Sequence, residues 1–578
     1  MITLPPVPVE VPDLDVDPAA ILAYARALLA GSAQVDDLGS FAAGPARIPS
    51  WRGDSGTTYA ATIAPVGTTA DSASLALRRV GLRVDQHGDE MARLLGDRTG
   101  LVLRRDDLVR RVGELATRAT SLTTSDAASF QQECDRMAGD VRRFTDDVRS
   151  WTGRVAHEEA EMNEAFLALM TVDQALSTYA GADDPADGAL ASMPGPGASP
   201  EQVHRWWEGR THDQQWAIFV AAPGAIGNRD GIPAWARDRA NTVALDRDLA
   251  TWSDLERRGL LTPEEQVGYA NALSAHDALD RMGDALDPVT GEPVRTSLYT
   301  YDPSAFGGDG RVAIAAGDPD TADNVAVVVP GFGTDMGSAE YQAARAVDLY
   351  TDARSLDQHA SNATMFWIGY DAPDNVPWGH GADRGWDAVD VASEELATRG
   401  GDRLADTLDG LAADRVGHAA HVTVVGHSYG STTTGIAATE HQLPVGDVVL
   451  VGSPGAGERA DHASDLQVGP GHVWVGAASS DPISWLGNHG WLNLEDLTDG
   501  GGLGTDPAGD DFGGTRFQAE VPGHHGGLHL SDHSAYFSPG SRSLDNIAHV
   551  VNGQYAAVTH AEGRHDPWWR GPYDPEAG

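Results

Sequence analysis

A serine hydroxyl becomes a useful nucleophile only when a base takes its proton and a carboxylate holds that base in one tautomer. The run His421-Val422-Thr423-Val424-Val425-Gly426-His427-Ser428-Tyr429-Gly430 presents a candidate for the first of these roles, Ser428. With Gly at 67 of 578 positions, the pattern Gly-x-Ser-x-Gly arises by chance about once in two chains of this length, so its context has to carry the inference. Val422 to Val425 is β-branched throughout and suits a strand buried on both faces, while Ser431-Thr432-Thr433-Thr434-Gly435-Ile436-Ala437-Ala438 can begin a helix. The order is strand, sharp turn, helix. Gly426 and Gly430 let strand and helix pass close together, and the turn lifts the serine Oγ to the carboxyl edge of a sheet. A spectator serine in an ordinary glycine-flanked turn would need no acid and base to follow it.

They follow in order. Asp447-Val448-Val449-Leu450-Val451-Gly452 reads as a second parallel strand, and His472-Val473-Trp474-Val475-Gly476-Ala477-Ala478 as a third that delivers Ser479-Ser480-Asp481-Pro482. An acid at the carboxyl end of a strand, before a proline that stops further pairing, is placed where the carboxylate of a triad belongs, so Asp481 is the candidate acid. Arg516 to Val521 gives a last strand, and the loop after it holds His524, His525, His529 and His533. His533 precedes Ser534-Ala535-Tyr536-Phe537 and a helical run over 543–551, where the loop re-enters the fold, and is the first choice of base. His529, His524 and His525 remain its competitors. The same histidines could suggest a metal, but the adjacent pair His524-His525 does not chelate one ion tetrahedrally with ease and no cysteine accompanies it. No metal and no cofactor is expected.

The oxyanion formed by serine attack needs two backbone N–H donors, one from the residue after the nucleophile and one from a loop after an earlier strand. Asn324 to Val329 is the most strand-like run of the chain, and it empties into Pro330-Gly331-Phe332-Gly333-Thr334. Gly331 and Gly333 let the Phe332 amide approach a substrate closely, with the Tyr429 amide as its partner.

Taken together, the PGFGT loop, the strand Thr364 to Pro373, the GHSYG turn, Val451-Gly452-Ser453-Pro454-Gly455, Ser480-Asp481-Pro482 and His533-Ser534-Ala535-Tyr536 resemble an actinobacterial α/β-hydrolase family known as a domain of unknown function. The resemblance runs from about Leu298 to Tyr555 and extends upstream to Pro223-Gly224-Ala225-Ile226-Gly227-Asn228-Arg229-Asp230-Gly231-Ile232-Pro233 with Arg237-Asp238-Arg239-Ala240-Asn241. It implies an α/β-hydrolase fold with a mostly parallel sheet and a Ser-Asp-His hydrolase carried on Ser428, Asp481 and His533. It does not imply a substrate.

The elements before the hydrolase region differ in kind. Asp17-Pro18 starts a helix with a capping side chain and then Pro at the first helical position, and Ile21, Leu22, Ala25, Leu28 and Leu29 follow at helical spacing. Leu77, Val80, Val84, Met91 and Leu94 continue the pattern, as do Leu108, Val112, Leu115, Ala119 and Leu122, and then Phe130, Cys134, Met137, Val141, Phe144, Val148 and Trp151. Such seams belong to long helices packed as a bundle or antiparallel coiled coil. Cys134 occupies a seam position and reads as a small buried hydrophobe. Trp51-Arg52-Gly53 lies between the first two helices, and a helical hairpin with W-x-G at its turn resembles the small WxG proteins exported by type VII secretion, over about residues 15–97. That resemblance implies a protein partner for these helices.

Composition bounds the rest. A formal charge of −45, from 85 acidic and 40 basic residues, repels polyanions and argues against nucleic acid or an anionic membrane as partner. Every one of the 40 basic residues is arginine, which removes a lysine-dependent phosphate loop; with abundant Ala, Gly and Asp it matches the coding bias of a GC-rich genome. No stretch reaches the ~18–20 apolar residues of a membrane span, and the start, Met1-Ile2-Thr3-Leu4-Pro5-Pro6, lacks the charge and apolar core of a signal peptide. A soluble protein is expected, cytoplasmic or exported by a type VII-like route.

The expected organisation is a helical module over 1–180, a Pro/Gly-rich linker over 181–200, a helical segment over 201–295 packing on the hydrolase, a catalytic domain over 296–556 and a tail over 557–578. Gly500 to Gly504 with the acidic stretch Asp506 to Asp511 reads as a mobile insertion between acid and base. The expected function is cleavage of a carboxylic ester or related acyl bond in a small-molecule or lipid substrate. Two other classes stand beside it: a secretion-linked effector or interaction protein whose helices dock a partner, and an idle hydrolase scaffold.

Overall fold

The computed structural model describes residues 2–43, 46, 48, 52–120, 122, 127–167, 185–373, 394–415, 419–485, 503–524, 527 and 529–561. The chain divides into two compact units, residues 1–191 with 212–220, and residues 192–211 with 221–578.

The first unit is built on three long helices, α1 (Pro18–Ala43), α2 (Asp54–Ala119) and α3 (Ala127–Leu167). α1 and α2 run antiparallel: Gly88 of α2 abuts Ile21 and Leu22, Gly81 abuts Leu28 and Leu29, and Gly67 abuts Gly39 and Ala42. Leu108, Val112 and Leu115 of α2 are buried with Phe130, Cys134, Met137, Val141, Phe144, Val148 and Trp151 of α3, and Trp151 Nε1 donates to Leu94 O at 2.9 Å. α2 corrects the expected end of the hairpin near residue 97, because it continues unbroken for 66 residues. Gly96 and Gly100 have no proline beside them, and an isolated glycine costs a helix only about 1 kcal/mol. Trp51 of the W-x-G motif and residues 181–184 of the linker lie outside the described residues.

The second unit holds an eight-stranded sheet of order β1-β2-β4-β3-β5-β6-β7-β8. Its strands are β1 (Thr296–Asp302), β2 (Arg311–Ala316), β3 (Asn324–Val329), β4 (Asn362–Ile368), β5 (His421–His427), β6 (Asp447–Val451), β7 (Val473–Gly476) and β8 (Thr515–Phe517). β1 pairs antiparallel with β2, and β2 with β4; every later pairing is parallel. The sequence reading contained no β1 or β2, since Thr-Ser-Leu-Tyr-Thr-Tyr-Asp mixes polar and apolar residues without clean alternation. Around the sheet lie α4 (Ala234–Arg258), α5 (Pro263–Gly283), α6 (Ala339–Leu356), α7 (Glu395–Ala413), α8 (Tyr429–Glu440) and α9 (Arg542–Val551).

β3 shows why such strands read as continuous apolar runs. Its side chains alternate between faces: Val325, Val327 and Val329 enter one core with Leu404, Leu408, Ile436 and Ala437 of α7 and α8, whereas Ala326 and Val328 enter another with Leu349, Ala353, Ile547 and Val550 of α6 and α9. Helices cover both faces, so no position faces water.

The upstream segment is tied to this sheet by a buried polar network. Arg237 of α4, wholly buried, donates to Tyr299 O at 2.8 Å and to Asp230 Oδ1 at 2.8 Å, and Asn241 Nδ2 donates to Gly227 O and Leu298 O at 2.8 and 2.9 Å. These bonds hold the edge strand β1. The segment expected to be a mobile insertion is packed where it is described: Leu503 and Phe512 are buried, and Gly457 N donates to Leu503 O at 2.8 Å. Gly500–Gly502 of the glycine cluster and residues 562–578 of the tail lie outside the described residues.

Candidate active site

Ser428 stands between the last residue of β5 and the first of α8. Its φ of 56° and ψ of −133° put an L-residue in a region normally left to glycine, the conformation a sharp strand-to-helix turn imposes on the residue it lifts. Such backbone strain costs of order 1–3 kcal/mol and persists only where its surroundings enforce it. Its neighbours enforce it here. An added Cβ on Gly426 would lie 2.6 Å from Ser431 Cα, and one on Gly430 would lie 2.2 Å from Val329 O, so neither position admits a side chain. Ser431, Thr432, Thr433 and Thr434 are all fully buried, and burial of hydroxyls requires partners. Ser431 Oγ donates to Ser428 O at 2.5 Å, Thr432 Oγ1 to Gly455 O at 2.7 Å and Thr434 Oγ1 to Gly430 O at 2.8 Å.

The loop after β3 lies against this turn. A Cβ on Gly331 would stand 2.7 Å from each of Ser428 Cβ, Tyr429 N and His427 O. Tyr370 donates its hydroxyl to Pro330 O at 2.8 Å and its ring stacks near-parallel with that of Tyr429, centroids 6.5 Å apart. Gly333, at φ 69°, donates its N–H to Pro373 O at 2.8 Å. Phe332 is partly buried against the same core as Tyr429. The Tyr429 amide belongs to the first turn of α8, where the helix dipole favours negative charge.

Asp481 and His533 meet. His533 Nδ1 donates to Asp481 Oδ2 at 2.9 Å, and the wholly buried carboxylate also accepts from Tyr536 Oη at 2.8 Å and, at Oδ1, from Ile483 N at 2.9 Å. Three charge-assisted bonds offset the desolvation of that carboxylate. Burial raises the Tyr536 hydroxyl well above its ordinary value, so it stays protonated and donating. Ser428 shares an edge with this pair: its N–H donates to Val451 O at 3.0 Å, and a Cβ on the next residue, Gly452, would lie 3.0 Å from Asp481 Oδ2 and 3.1 Å from His533 Nδ1.

The other histidines of the loop are engaged elsewhere. His524 Nδ1 pairs with Asp532 Oδ1 at 2.5 Å and its ring stacks on His529 at 4.2 Å, while His525 lies outside the described residues. Three residues of the site escaped the sequence reading as contributors. Tyr536 is three positions after His533 in the 3₁₀ turn Asp532–Phe537, a spacing that eclipses the two side chains and was the available signal. His427, buried, donates Nε2–H to His533 O at 2.7 Å. Tyr370 is legible only as the end of a strand.

Among the described residues one cluster has metal-ligand spacing, Asp402, Glu440 and His441; its three residues line the surface, and Glu440 is paired with Arg459 at 2.9 Å. No described helix is long and apolar enough to cross a membrane.

A sharp Ser-bearing turn at the carboxyl edge of a mostly parallel sheet defines an α/β hydrolase, and an alpha/beta hydrolase family model matches residues 304–489, from before β2 to beyond β7. The chain is 32% identical over 540 residues to the uncharacterized protein Rv2079 of Mycobacterium tuberculosis, covering 86% of this chain and 79% of that one. It therefore belongs to the same family as that mycobacterial protein. The uncharacterized protein Rv0963c of the same organism is 32% identical over 219 residues, 36% of this chain and 76% of its own. Among solved structures, esterase LipW from Mycobacterium marinum aligns at 13% identity over 54% of this chain and 90% of that chain, with a TM-score of 0.25. Carboxyl esterase 2 from Tuber melanosporum aligns at 14% identity over 52% and 99%, with a TM-score of 0.23.

Proposed function

We propose that this chain is a serine hydrolase that cleaves a carboxylic ester, or a related acyl bond, of a small-molecule or lipid substrate through an acyl-enzyme on Ser428. The observation that carries the reading is the bond from His533 Nδ1 to the buried, triply bonded Asp481, at the same sheet edge as the positive-φ serine. His533 takes the Ser428 proton at Nε2 as Oγ bonds to the acyl carbon, and Asp481 stabilises the imidazolium that results. The carbonyl oxygen becomes an anion and faces the amides of Phe332 and Tyr429. His533 then passes the proton to the leaving alkoxide; water, deprotonated by the same imidazole, bonds to the acyl carbon, the acyl–Oγ bond breaks to release the acid, and the imidazolium returns its proton to Ser428 Oγ. We assign residues 296–556 to this catalytic domain.

Labelling with a fluorophosphonate probe tests the reading directly. One adduct on Ser428, blocked by prior turnover inhibition and absent after heat denaturation, is the expected result; failure of the native protein to label, together with no hydrolysis across a series of acetyl to palmitoyl p-nitrophenyl esters, overturns it.

The oxyanion assignment carries its own expectation. Gly331→Ala forces a carbon into the space filled by Ser428 Cβ and Tyr429 N, and a misplaced donor costs about 10²–10³ in kcat. Phe332→Ala keeps the N–H and should lose less than about tenfold. Gly333→Val, strained by the positive φ rather than by crowding, should also lose far more than Phe332→Ala. Steady-state rates on one ester, with thermal unfolding as a folding check, decide the matter. A dead Phe332→Ala beside active glycine variants would mean that the ring binds substrate and the donors lie elsewhere.

A further inference from the structure

The residue before the candidate nucleophile is a buried histidine, His427. His427 ends β5, is 7% exposed, and forms no hydrogen bond or ion pair with a carboxylate among the described residues. Its partner is instead the backbone of the candidate base, 106 residues later, with Nε2 2.7 Å from His533 O and the two rings 4.8 Å apart. A carbonyl oxygen only accepts, so Nε2 must carry the proton and donate.

The surroundings dictate the charge of this imidazole. Phe537 stands edge-on to it, centroids 6.0 Å apart and planes at 87°, and Arg345 of α6 lies over the same phenyl ring, 4.3 Å from its centroid. Tyr536 flanks the imidazole at 6.0 Å. Arg345 is itself 6% exposed, and its Nε and one terminal nitrogen find no hydrogen-bond partner. Burial first, then this nearby cation and His533, hold the His427 imidazole well below the usual histidine range, so it stays neutral with one N–H. A second proton would gain no acceptor and would face a guanidinium.

We propose that His427 is a positioning residue for His533: its Nε2–H clamps the His533 carbonyl and so fixes the backbone from which the base reaches both Asp481 and Ser428. The role rests on the reading of Ser428, Asp481 and His533 as a catalytic set, and it follows from geometry that reading does not use. Asp481, itself bonded by Tyr536, holds the imidazole of the base from one end, whereas His427 holds its main chain from the other. A side-chain bond alone leaves the ring free to swing with its loop. Two anchors remove that freedom, and near-attack geometry is worth a large factor in rate.

The test uses the full chain and two substitutions. His427→Phe keeps an aromatic ring without a donor. His427→Gln carries an amide nitrogen the same number of bonds from Cβ as Nε2 and restores the donor. The expected result is a loss of about 10- to 100-fold in kcat for His427→Phe with KM within about threefold, and recovery to within about threefold of wild type in His427→Gln. Hydrogen–deuterium exchange supplies a readout independent of activity: peptides covering 529–541 should exchange at least tenfold faster in His427→Phe and near the wild-type rate in His427→Gln. Unchanged exchange in His427→Phe overturns the clamp, and so does a glutamine variant as impaired as the phenylalanine one. If Ser428→Ala leaves turnover intact while the exchange pattern is as expected, the catalytic reading fails and the clamp on the loop stands.

Discussion

Ser428→Ala is expected to remove ester hydrolysis by a factor of about 10⁴ or more while leaving the protein folded. No other hydroxyl is held at a strained turn between the carboxyl end of β5 and the first turn of α8. Among the described residues only Phe306, Ser428 and Gln467 carry a positive φ without being glycine, and Ser428 is the one with a nucleophile to offer. Alanine keeps the small Cβ that Gly331 leaves room for, and the bond from the residue-428 amide to Val451 O does not depend on the side chain. Unfolding midpoints should therefore match within a few degrees. Rates within about tenfold of wild type would sink the nucleophile assignment, since losing a true nucleophile costs far more.

His533→Ala should lower kcat by about 10³ or more, and His529→Ala by much less. The bond from His533 to a carboxylate with no exposed surface separates these two histidines physically. His529 stacks on His524, which is already paired with Asp532. A conservative companion, Tyr536→Phe, removes one of the two donors to Asp481 Oδ2 and leaves that oxygen a stronger acceptor for His533. The cost in kcat should be about tenfold or less. Should His529→Ala prove the dead variant, the base moves to His529 and the loop over 524–533 acts differently from its resting arrangement.

The interval in which sequence reasoning worked is short-range. The turn at Ser428, the loop at Gly331 and the strand ends at Asp481 and Gly452 are each specified within about ten residues, because backbone sterics and alternation along a strand are local properties. β3 to β7 were readable as apolar runs for the same reason, although β7 and β8 are shorter than the stretches 472–478 and 516–521 that read as strands. The long seams of α2 and α3 were legible from their period, whereas the continuity of α2 past residue 97 was not. Its two seam stretches are separated by Gly96 and Gly100, which look like punctuation and cost too little to act as it.

The sequence by itself determined the order of the candidate groups along the chain: a glycine-bearing loop after a strand, then a serine on a glycine-flanked turn, then an acid at a strand end, then histidines in a loop. It also determined that the sheet would be covered on both faces, since Val325 through Val329 leaves no side for water. Only the tertiary structure decided which histidine meets Asp481, because the choice among residues in one loop depends on contacts across 52 positions of chain. It alone showed that Tyr536 and His427 hold that pair, across 55 and 106 positions, and that the polar strand β1 is kept at the sheet edge by the buried Arg237 and Asn241. The physical reason is the same in each case. Periodicity and turn chemistry act over a few residues, while the pairing of a buried donor with a buried acceptor is settled by which distant segments the sheet brings together.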